Sequence, residues 1–165
     1  MSSSIREERT AAVITVSDSC SRGERVDLSG PAVADTLRKA KFTIVGSEIV
    51  ADERAAIEKA IVRWAGEARL VATTGGTGIS ERDVTPEVTQ QVCERLLEGV
   101  AERMRFEGTK KTPLAALSRG VCGVRQRTLI LNLPGSPKGA VESLESVIET
   151  VPHALDLLSG KTEHS

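Results

Sequence analysis

The stretch TTGGTGISERDVTPE, residues 73–87, places a glycine-rich turn directly before an acidic loop. Gly75, Gly76 and Gly78 lie close together, and glycine clusters of this kind supply positive φ angles or let a ligand approach the backbone. The turn therefore predicts either a site for an oxyanion such as phosphate or a tight left-handed connection without a ligand. It is neither a Walker A loop nor a dinucleotide fingerprint, because no Gly-Lys-Ser/Thr follows it and G-x-G-x-x-G is absent.

Two carboxylates are candidates for chemistry beside that turn. Asp83 lies in the acidic loop, and Asp52 follows a predicted strand at 43–50. Together with a phosphate-binding turn, two acids favour a metal-assisted phosphate reaction. Each acid also has a purely structural interpretation: Asp52 as a helix N-cap, and Asp83 as a charge near the positive end of the helix that follows Thr85.

The composition limits the class of protein. With 165 residues the chain is long enough for one domain with its own core, and we predict a single domain over 1–165 with flexible ends at 1–9 and 160–165. The 22 basic and 23 acidic side chains nearly cancel, and Phe42, Trp64 and Phe106 are the only aromatic residues, which argues against nucleic-acid binding. The polar N-terminal sequence has no signal-peptide pattern, and no apolar stretch is long enough to span a membrane. We therefore predict a cytoplasmic protein.

The cysteines do not indicate a metal site or a nucleophile. Cys20, Cys93 and Cys122 are widely spaced, and His153 and His164 both lie near the end of the chain. This spacing makes a poor zinc site, so we expect reduced and mostly buried thiols.

Strands alternate with helices along the chain, which predicts an α/β three-layer sandwich with a mostly parallel sheet. Amphipathic spacing, apolar runs and capping residues predict strands at 11–16, 43–50, 70–74 and 128–133, and helices from Ser29, Asp52, Thr85 and Ser136, with the third helix extending to Leu96. Pro152 is expected to break the last helix before a short terminal one. Residues 99–127 are interrupted by glycine and proline, and we expect helix, loop and an antiparallel hairpin there.

The polar segments all follow a predicted strand and precede a predicted helix. In an open parallel sheet, ligands bind at the carboxyl ends of the strands. The segments that should meet there are Ser17-Asp18, Asp52, Gly75 to Asp83, and Pro134-Gly135-Ser136.

Several motifs in the same order resemble those of the molybdenum-cofactor biosynthesis family, which includes bacterial molybdopterin adenylyltransferases and the G domains of gephyrin and its plant relatives. The motifs extend over nearly the whole chain: TVSDS (15–19), DLSGPA (27–32), ADERAAI (51–57), TGGTG with RDVTPE (74–87), TPLAALSR (112–119) and TLILNLPGSPKGAVE (128–142). One departure is Ala51, where the family often has proline.

The resemblance implies a molybdopterin-binding-like fold and a nucleotidyltransferase that uses ATP and Mg²⁺ to adenylylate the terminal phosphate of molybdopterin. It implies that Asp52 and Asp83 are the catalytic or metal-binding pair. It also implies that substrate or nucleotide is bound by Ser17, Asp18, Gly75, Gly76, Thr77, Gly78, Ser118, Asn132, Pro134 and Gly135. Arg82, Arg119 and Lys138 are candidate cations for the transition state.

The resemblance also implies a homotrimer, and a separate protein for metal insertion because no motif of the insertion domain is present. A non-catalytic molybdopterin-binding module or oligomeric scaffold of the same fold is the alternative. The two acids distinguish these hypotheses, because a carrier does not need a carboxylate pair beside a triphosphate.

Overall fold

A six-stranded sheet forms the middle layer of the protein, with the strand order β2-β1-β3-β6-β5-β4. The structure is a computed structural model that describes residues 9–161. The strands are β1 Thr10–Val16, β2 Thr43–Val50, β3 Leu70–Thr74, β4 Arg95–Leu96, β5 Cys122–Arg125 and β6 Thr128–Leu133. The predicted flexible ends fall mainly outside the described residues and stay a prediction.

Helices cover both faces of this sheet. They are α1 Asp18–Ser21, α2 Ser29–Lys39, α3 Arg54–Ala65, α4 Thr85–Val92, α5 Glu98–Thr109, α6 Pro137–Val147 and α7 Val151–Leu158, with 3₁₀ turns at Pro113–Leu117 and Ile148–Thr150. The α/β three-layer sandwich predicted from the sequence is confirmed. The 3₁₀ turn before Val151 also confirms the break expected near Pro152.

The central strands are parallel, and the last two are not. β1 pairs in parallel with β2 and β3, and β3 pairs in parallel with β6. β5 pairs antiparallel with both β6 and β4, so the hairpin expected near the end of 99–127 is present. Gln126, at the tip of this hairpin, has φ +54.

Two apolar cores lie on opposite sides of the sheet because alternate residues of each strand face opposite ways. Ala11 and Val13 of β1 pack on the side of α2, α5, α6 and α7. Ala12 and Ile14 pack on the side of α3 and α4. Burial on both faces explains why the central strands are continuous apolar runs.

Helix α4 is shorter than the sequence predicts. It ends at Val92, and Leu96 is a partly exposed residue of β4 instead of part of the helix. The reason is tertiary: the amides of Glu94 and Leu97 donate to carbonyl oxygens of β5, at 3.0 and 2.8 Å, which draws this segment onto the edge of the sheet.

Three predicted caps are wrong, and one is confirmed. Leu28, Glu53 and Val84 occupy the N-cap positions of α2, α3 and α4, in place of Ser29, Asp52 and Thr85. The displaced side chains bond to neighbouring loops instead, as described below. Ser136 does cap α6, because its Oγ accepts a hydrogen bond from the amide of Gly139 at 3.1 Å.

Within residues 9–161, no helix is long and apolar enough to cross a membrane.

Candidate active site

A cleft of about 380 Å³ opens at the carboxyl ends of the parallel strands. Its walls come from the four segments that the sequence places after β1, β2, β3 and β6, together with residues 25–28. The predicted site residues that line it are Ser17, Asp52, Gly75, Gly76, Asp83 and Gly135. The expectation that separate polar segments meet at one edge of the sheet is therefore confirmed.

The glycine turn needs its glycines for the fold itself. Gly75 has φ +92 and Gly76 has φ +68, which is a conformation that side chains disfavour. A Cβ on Gly75 would strike the carbonyl oxygen of Val16, and a Cβ on Gly76 would strike the Thr85 hydroxyl and lie 3.2 Å from Oδ1 of Asp52. The positive φ angles expected of the glycine cluster are thus confirmed, and the absence of side chains leaves the turn open to the cleft.

Thr85 fixes the glycine turn through two hydrogen bonds. Its hydroxyl donates to the carbonyl oxygen of Gly75 at 3.1 Å, and its amide donates to the carbonyl oxygen of Gly76 at 3.1 Å. The amide of Gly75 donates to Leu133 at 3.0 Å, which ties the turn to the end of β6. A buried threonine therefore fixes the backbone at the mouth of the cleft.

Asp52 and Asp18 form a reciprocal pair between the loops after β2 and β1. The amide of Asp18 donates to Oδ2 of Asp52 at 3.0 Å, and the amide of Asp52 donates to Oδ1 of Asp18 at 3.0 Å. Burial raises the pKa of Asp52, the charges of Asp18 and Asp83 raise it further, and the hydrogen bond from the Asp18 amide opposes them. Asp52 is therefore a half-buried acid with two acidic neighbours, of which Asp83 also lines the cleft.

Asp83 faces the same cleft from the loop after the glycine turn. Its Oδ2 accepts a hydrogen bond from the amide of Ser80 at 3.0 Å. A Cβ on Gly78 would lie only 2.8 Å from that oxygen, so Gly78 gives the carboxylate room beside the turn. Within residues 9–161, no group of three or more acidic, histidine or cysteine side chains could hold a metal ion.

The three candidate cations have different surroundings. Arg82 makes a bidentate ion pair with Asp18, at 3.0 and 2.8 Å. Arg119 donates to the carbonyl oxygens of Gly78 and Asp83 at 2.7 and 2.8 Å, and to Glu87 at 2.7 and 2.8 Å. Arg119 therefore braces the glycine loop. Lys138 is 86% exposed, and its nearest acidic oxygen, on Glu142, is 3.9 Å away.

Comparison with known proteins identifies the family. The family profile described as "Probable molybdopterin binding domain" matches residues 12–153. The chain belongs to this family. It is 44% identical over 152 residues to a molybdopterin adenylyltransferase of Helicobacter pylori, covering 90% of this chain and 86% of that protein.

Further relatives of this molybdopterin-binding family support the assignment. Gephyrin of Dictyostelium discoideum is 35% identical over 170 residues, which is 96% of this chain and 24% of gephyrin. The crystal structure of the molybdopterin biosynthesis enzyme MoaB from Thermus thermophilus superposes with a TM-score of 0.87 at 51% identity, covering 92% of this chain and 97% of that one.

Three other predicted site residues do not line the main cleft. Ser118, Asn132 and Pro134 line a separate cavity of about 40 Å³. Asn132 Nδ2 donates to the hydroxyls of Thr73 and Thr89, both at 3.0 Å, and its Oδ1 accepts from the amide of Val121 at 3.2 Å. This side chain is fully engaged within the protein, so it ties β6 to its neighbours. Its contact with a ligand stays a prediction.

Thr77 and Asp18, which are also predicted to bind substrate, do not line the main cleft. Thr77 is buried, and its carbonyl oxygen accepts a hydrogen bond from the amide of Arg119 at 2.9 Å. Asp18 adjoins the cleft through its bonds to Asp52, but it does not line the cleft. Their predicted roles in binding remain open to test.

The motif DLSGPA (27–32) overlaps the segment 25–28, but the sequence interpretation assigned no site residue there, and this segment forms one wall of the cleft. Asp27 accepts hydrogen bonds from the Thr15 hydroxyl at 2.7 Å and from the amide of Gly30 at 3.0 Å, so it anchors the start of α2. An acid shortly before a predicted helix start was the available signal. Arg25 is exposed and lines the same wall, but nothing in its sequence context distinguishes it from other surface arginines.

Burial controls the protonation of two of the three thiols. Burial raises the pKa of Cys93 to about 11 and that of Cys122 to about 12, so both stay protonated at neutral pH. Cys122 is buried, and Cys20 and Cys93 are partly buried, which agrees with the expectation of mostly buried thiols.

Proposed function

We propose that the protein transfers the AMP group of ATP to the terminal phosphate of molybdopterin. A phosphate oxygen of molybdopterin attacks the α-phosphorus, the bond between the α-phosphorus and its bridging oxygen to the β-phosphate breaks, and pyrophosphate leaves with the electron pair. Adenylylated molybdopterin and pyrophosphate are the products. The observation that carries the proposal is the pair Asp52 and Asp83 facing one cleft beside the glycine turn.

The volume of the cleft is that of a site for a small molecule or cofactor. Pockets for small molecules and cofactors usually enclose about 300 to 1,000 Å³, and the cleft encloses about 380 Å³. The glycine turn offers a side-chain-free surface on which phosphate oxygens can approach the backbone. Ser17 and Gly135 complete the polar rim at the ends of β1 and β6.

The two acids fit Mg²⁺ in the way that this ion is usually bound beside nucleotides. Magnesium sites often use one or two carboxylates, with substrate phosphates and water as the remaining ligands. Each acid uses Oδ2 for a hydrogen bond to a backbone amide, and Oδ1 remains for the cleft among the described contacts. When bound, the ion would neutralise charge on the phosphates. Asp52 and Asp83 are the residues that would hold it.

Arg25 is a further cation available to the phosphates. Arg22 is paired with Glu24 at 3.0 Å, Arg82 with Asp18 and Arg119 with Glu87, whereas no ion pair involves Arg25 among residues 9–161. Because Arg25 lines the cleft, it can offset the negative charge of a bound triphosphate.

A non-catalytic binding module is the second candidate function. It would use the glycine turn and leave the acids without a chemical role. Incubation of the purified protein with molybdopterin, ATP and Mg²⁺ distinguishes the two, with pyrophosphate release as the measurement. We expect release that requires all three components. Binding of molybdopterin without any pyrophosphate would favour the module.

We further propose that the protein acts as a homotrimer in the cytoplasm. Its product would pass to a separate protein that inserts the metal, since adenylylation activates molybdopterin without adding metal to it.

A further inference from the structure

Three loops from the edge of the sheet meet at the carboxylate of Asp18. The loop after β2 reaches it through the amide of Asp52, at 3.0 Å from Oδ1. The loop that follows the glycine turn reaches it through Arg82, whose Nε and Nη2 lie 3.0 and 2.8 Å from Oδ2 and Oδ1. Asp18 itself follows β1. One side chain therefore links segments that are far apart in the sequence.

The link to Asp52 runs in both directions. The side chain of Asp18 holds the main chain at position 52, and the main chain of Asp18 holds the side chain of Asp52 through its Oδ2. The closed ring leaves little freedom for the Asp52 carboxylate to rotate. Oδ1 of Asp52 is consequently directed to the side where Gly76 lies.

Arg82 fixes the orientation of the Asp18 carboxylate through its bidentate contact. Its hydrogen bonds hold the pKa of Asp18 below the usual value. The guanidinium is 57% exposed, so solvent screens the ion pair and its contribution to the free energy of unfolding is small. A bidentate pair that does little for global stability still fixes the orientation of the groups that it joins.

We infer that Asp18 and Arg82 are positioning residues that orient the Asp52 carboxylate for adenylyl transfer, instead of contacting the substrate. This inference rests on the proposed function for its kinetic consequence. Its structural consequence, the orientation of Asp52, can be measured without any assay of the reaction.

The kinetic test compares Asp18→Ala, Asp18→Asn and Arg82→Gln with the wild type. We expect Asp18→Ala to lower kcat about tenfold or more while the KM for ATP stays within about twofold, because the side chain acts on a catalytic group and not on the substrate. Asp18→Asn keeps an acceptor for the Asp52 amide and should recover part of the rate. A large rise in KM with unchanged kcat would show a direct substrate contact and overturn the inference.

A double-mutant cycle with Asp52→Asn separates positioning from an independent role. If Asp18 acts through Asp52, then the double variant Asp18→Ala/Asp52→Asn should be no slower than Asp52→Asn alone. Additive losses would contradict the inference. Glu24→Gln is the matched control, because it removes an exposed bidentate pair with Arg22 in the same loop, at 3.0 and 3.1 Å, that does not touch Asp52. Its kcat should not change.

Crystal structures of Asp18→Ala and of the wild type give the independent readout. We expect the Asp52 carboxylate of the variant to be rotated or disordered while the sheet is unchanged. An unmoved Asp52 would overturn the inference even if activity is lost. If the wild type releases no pyrophosphate, the proposed function fails, and the position of Asp52 in these structures still decides the inference.

Discussion

Asp52 is the residue at which a structural role and a chemical role can be separated. It does not cap α3, since Glu53 occupies the N-cap position, and its Oδ2 accepts a hydrogen bond from the Asp18 amide. Asparagine can keep that bond through its side-chain oxygen but lacks the negative charge that favours a metal ion. The substitution Asp52→Asn therefore tests charge with little change in geometry.

We expect Asp52→Asn to retain the wild-type melting temperature and molybdopterin binding, and to lose adenylyl transfer by at least ~100-fold, the scale of removing one key electrostatic contact. The measurements are pyrophosphate release and thermal unfolding. Asp35→Asn is the control, because Asp35 is an exposed acid on α2 that pairs with Arg38. Wild-type turnover of Asp52→Asn would leave the role to Asp83 alone.

Arg25 supports a prediction about nucleotide affinity. We expect Arg25→Gln to weaken ATP binding roughly fivefold at low salt, with a smaller effect at high salt, because the contact is electrostatic and screened. AMP, which carries less charge, should be affected less. Titration calorimetry with ATP and AMP measures both. Arg22→Gln, from the same loop, should bind ATP like the wild type because Arg22 is already paired with Glu24; equal losses in both variants would refute a specific role for Arg25.

At the scale of elements, the glycine turn joins folding and binding in one short segment. We expect Gly76→Val to weaken ATP binding more than tenfold and also to lower the melting temperature by roughly 4 °C or more, because it adds a side chain at φ +68 against Thr85 and Asp52. Thermal unfolding and calorimetry give the two values.

Gly23→Val is the matched control for that substitution. Gly23 has φ +74 with no atom within 4 Å of an added Cβ, so it reports the cost of the backbone angle alone. The difference between the two variants is the effect of the contacts at the turn. Normal ATP binding by Gly76→Val would show that the turn is purely structural.

The strands β1, β3 and β6 could be predicted because they are buried and largely apolar runs with helices between them. The places where prediction failed are those where a tertiary contact decides the outcome. Ser29 bonds to the hydroxyl of Thr74 at 2.9 Å, and Thr85 bonds to Gly75, so neither caps its helix. Leu96 leaves α4 because the amides of Glu94 and Leu97 donate hydrogen bonds to carbonyl oxygens of β5.

The same distinction applies to the candidate site. The polar segments directly after β1, β2, β3 and β6 could be predicted, since each follows a parallel strand, whereas the wall formed by 25–28 was not assigned to the site. The ring between Asp18 and Asp52 could not, because nothing local in the sequence specifies which backbone amide a carboxylate will reach. Arg119 illustrates the point most clearly: its motif indicates a cation near the site, and the fold turns its guanidinium toward backbone carbonyl groups.

At the scale of the whole molecule, assembly can be tested directly. We predict a homotrimer, since a formal net charge of −1 does not oppose self-association. Light scattering at micromolar concentration should give about three times the chain mass of 17.6 kDa. A monomer mass under these conditions would contradict the prediction, and repetition at several concentrations distinguishes a stable trimer from a weak one.

The cleft is built from segments that only the completed parallel sheet brings together. Pairing of β3 with β6 joins Leu70 to Leu129, so a long part of the chain must be ordered before all walls of the cleft exist. Contacts of such sequence separation form late and make folding slow.

ATP should therefore recognise the native state and not the folding transition state. Saturating ATP is consequently expected to slow unfolding and to leave the refolding rate unchanged. Trp64, the single tryptophan, is buried and reports both rates by stopped-flow fluorescence. Faster refolding with ATP would mean that the nucleotide surface forms before the sheet is complete.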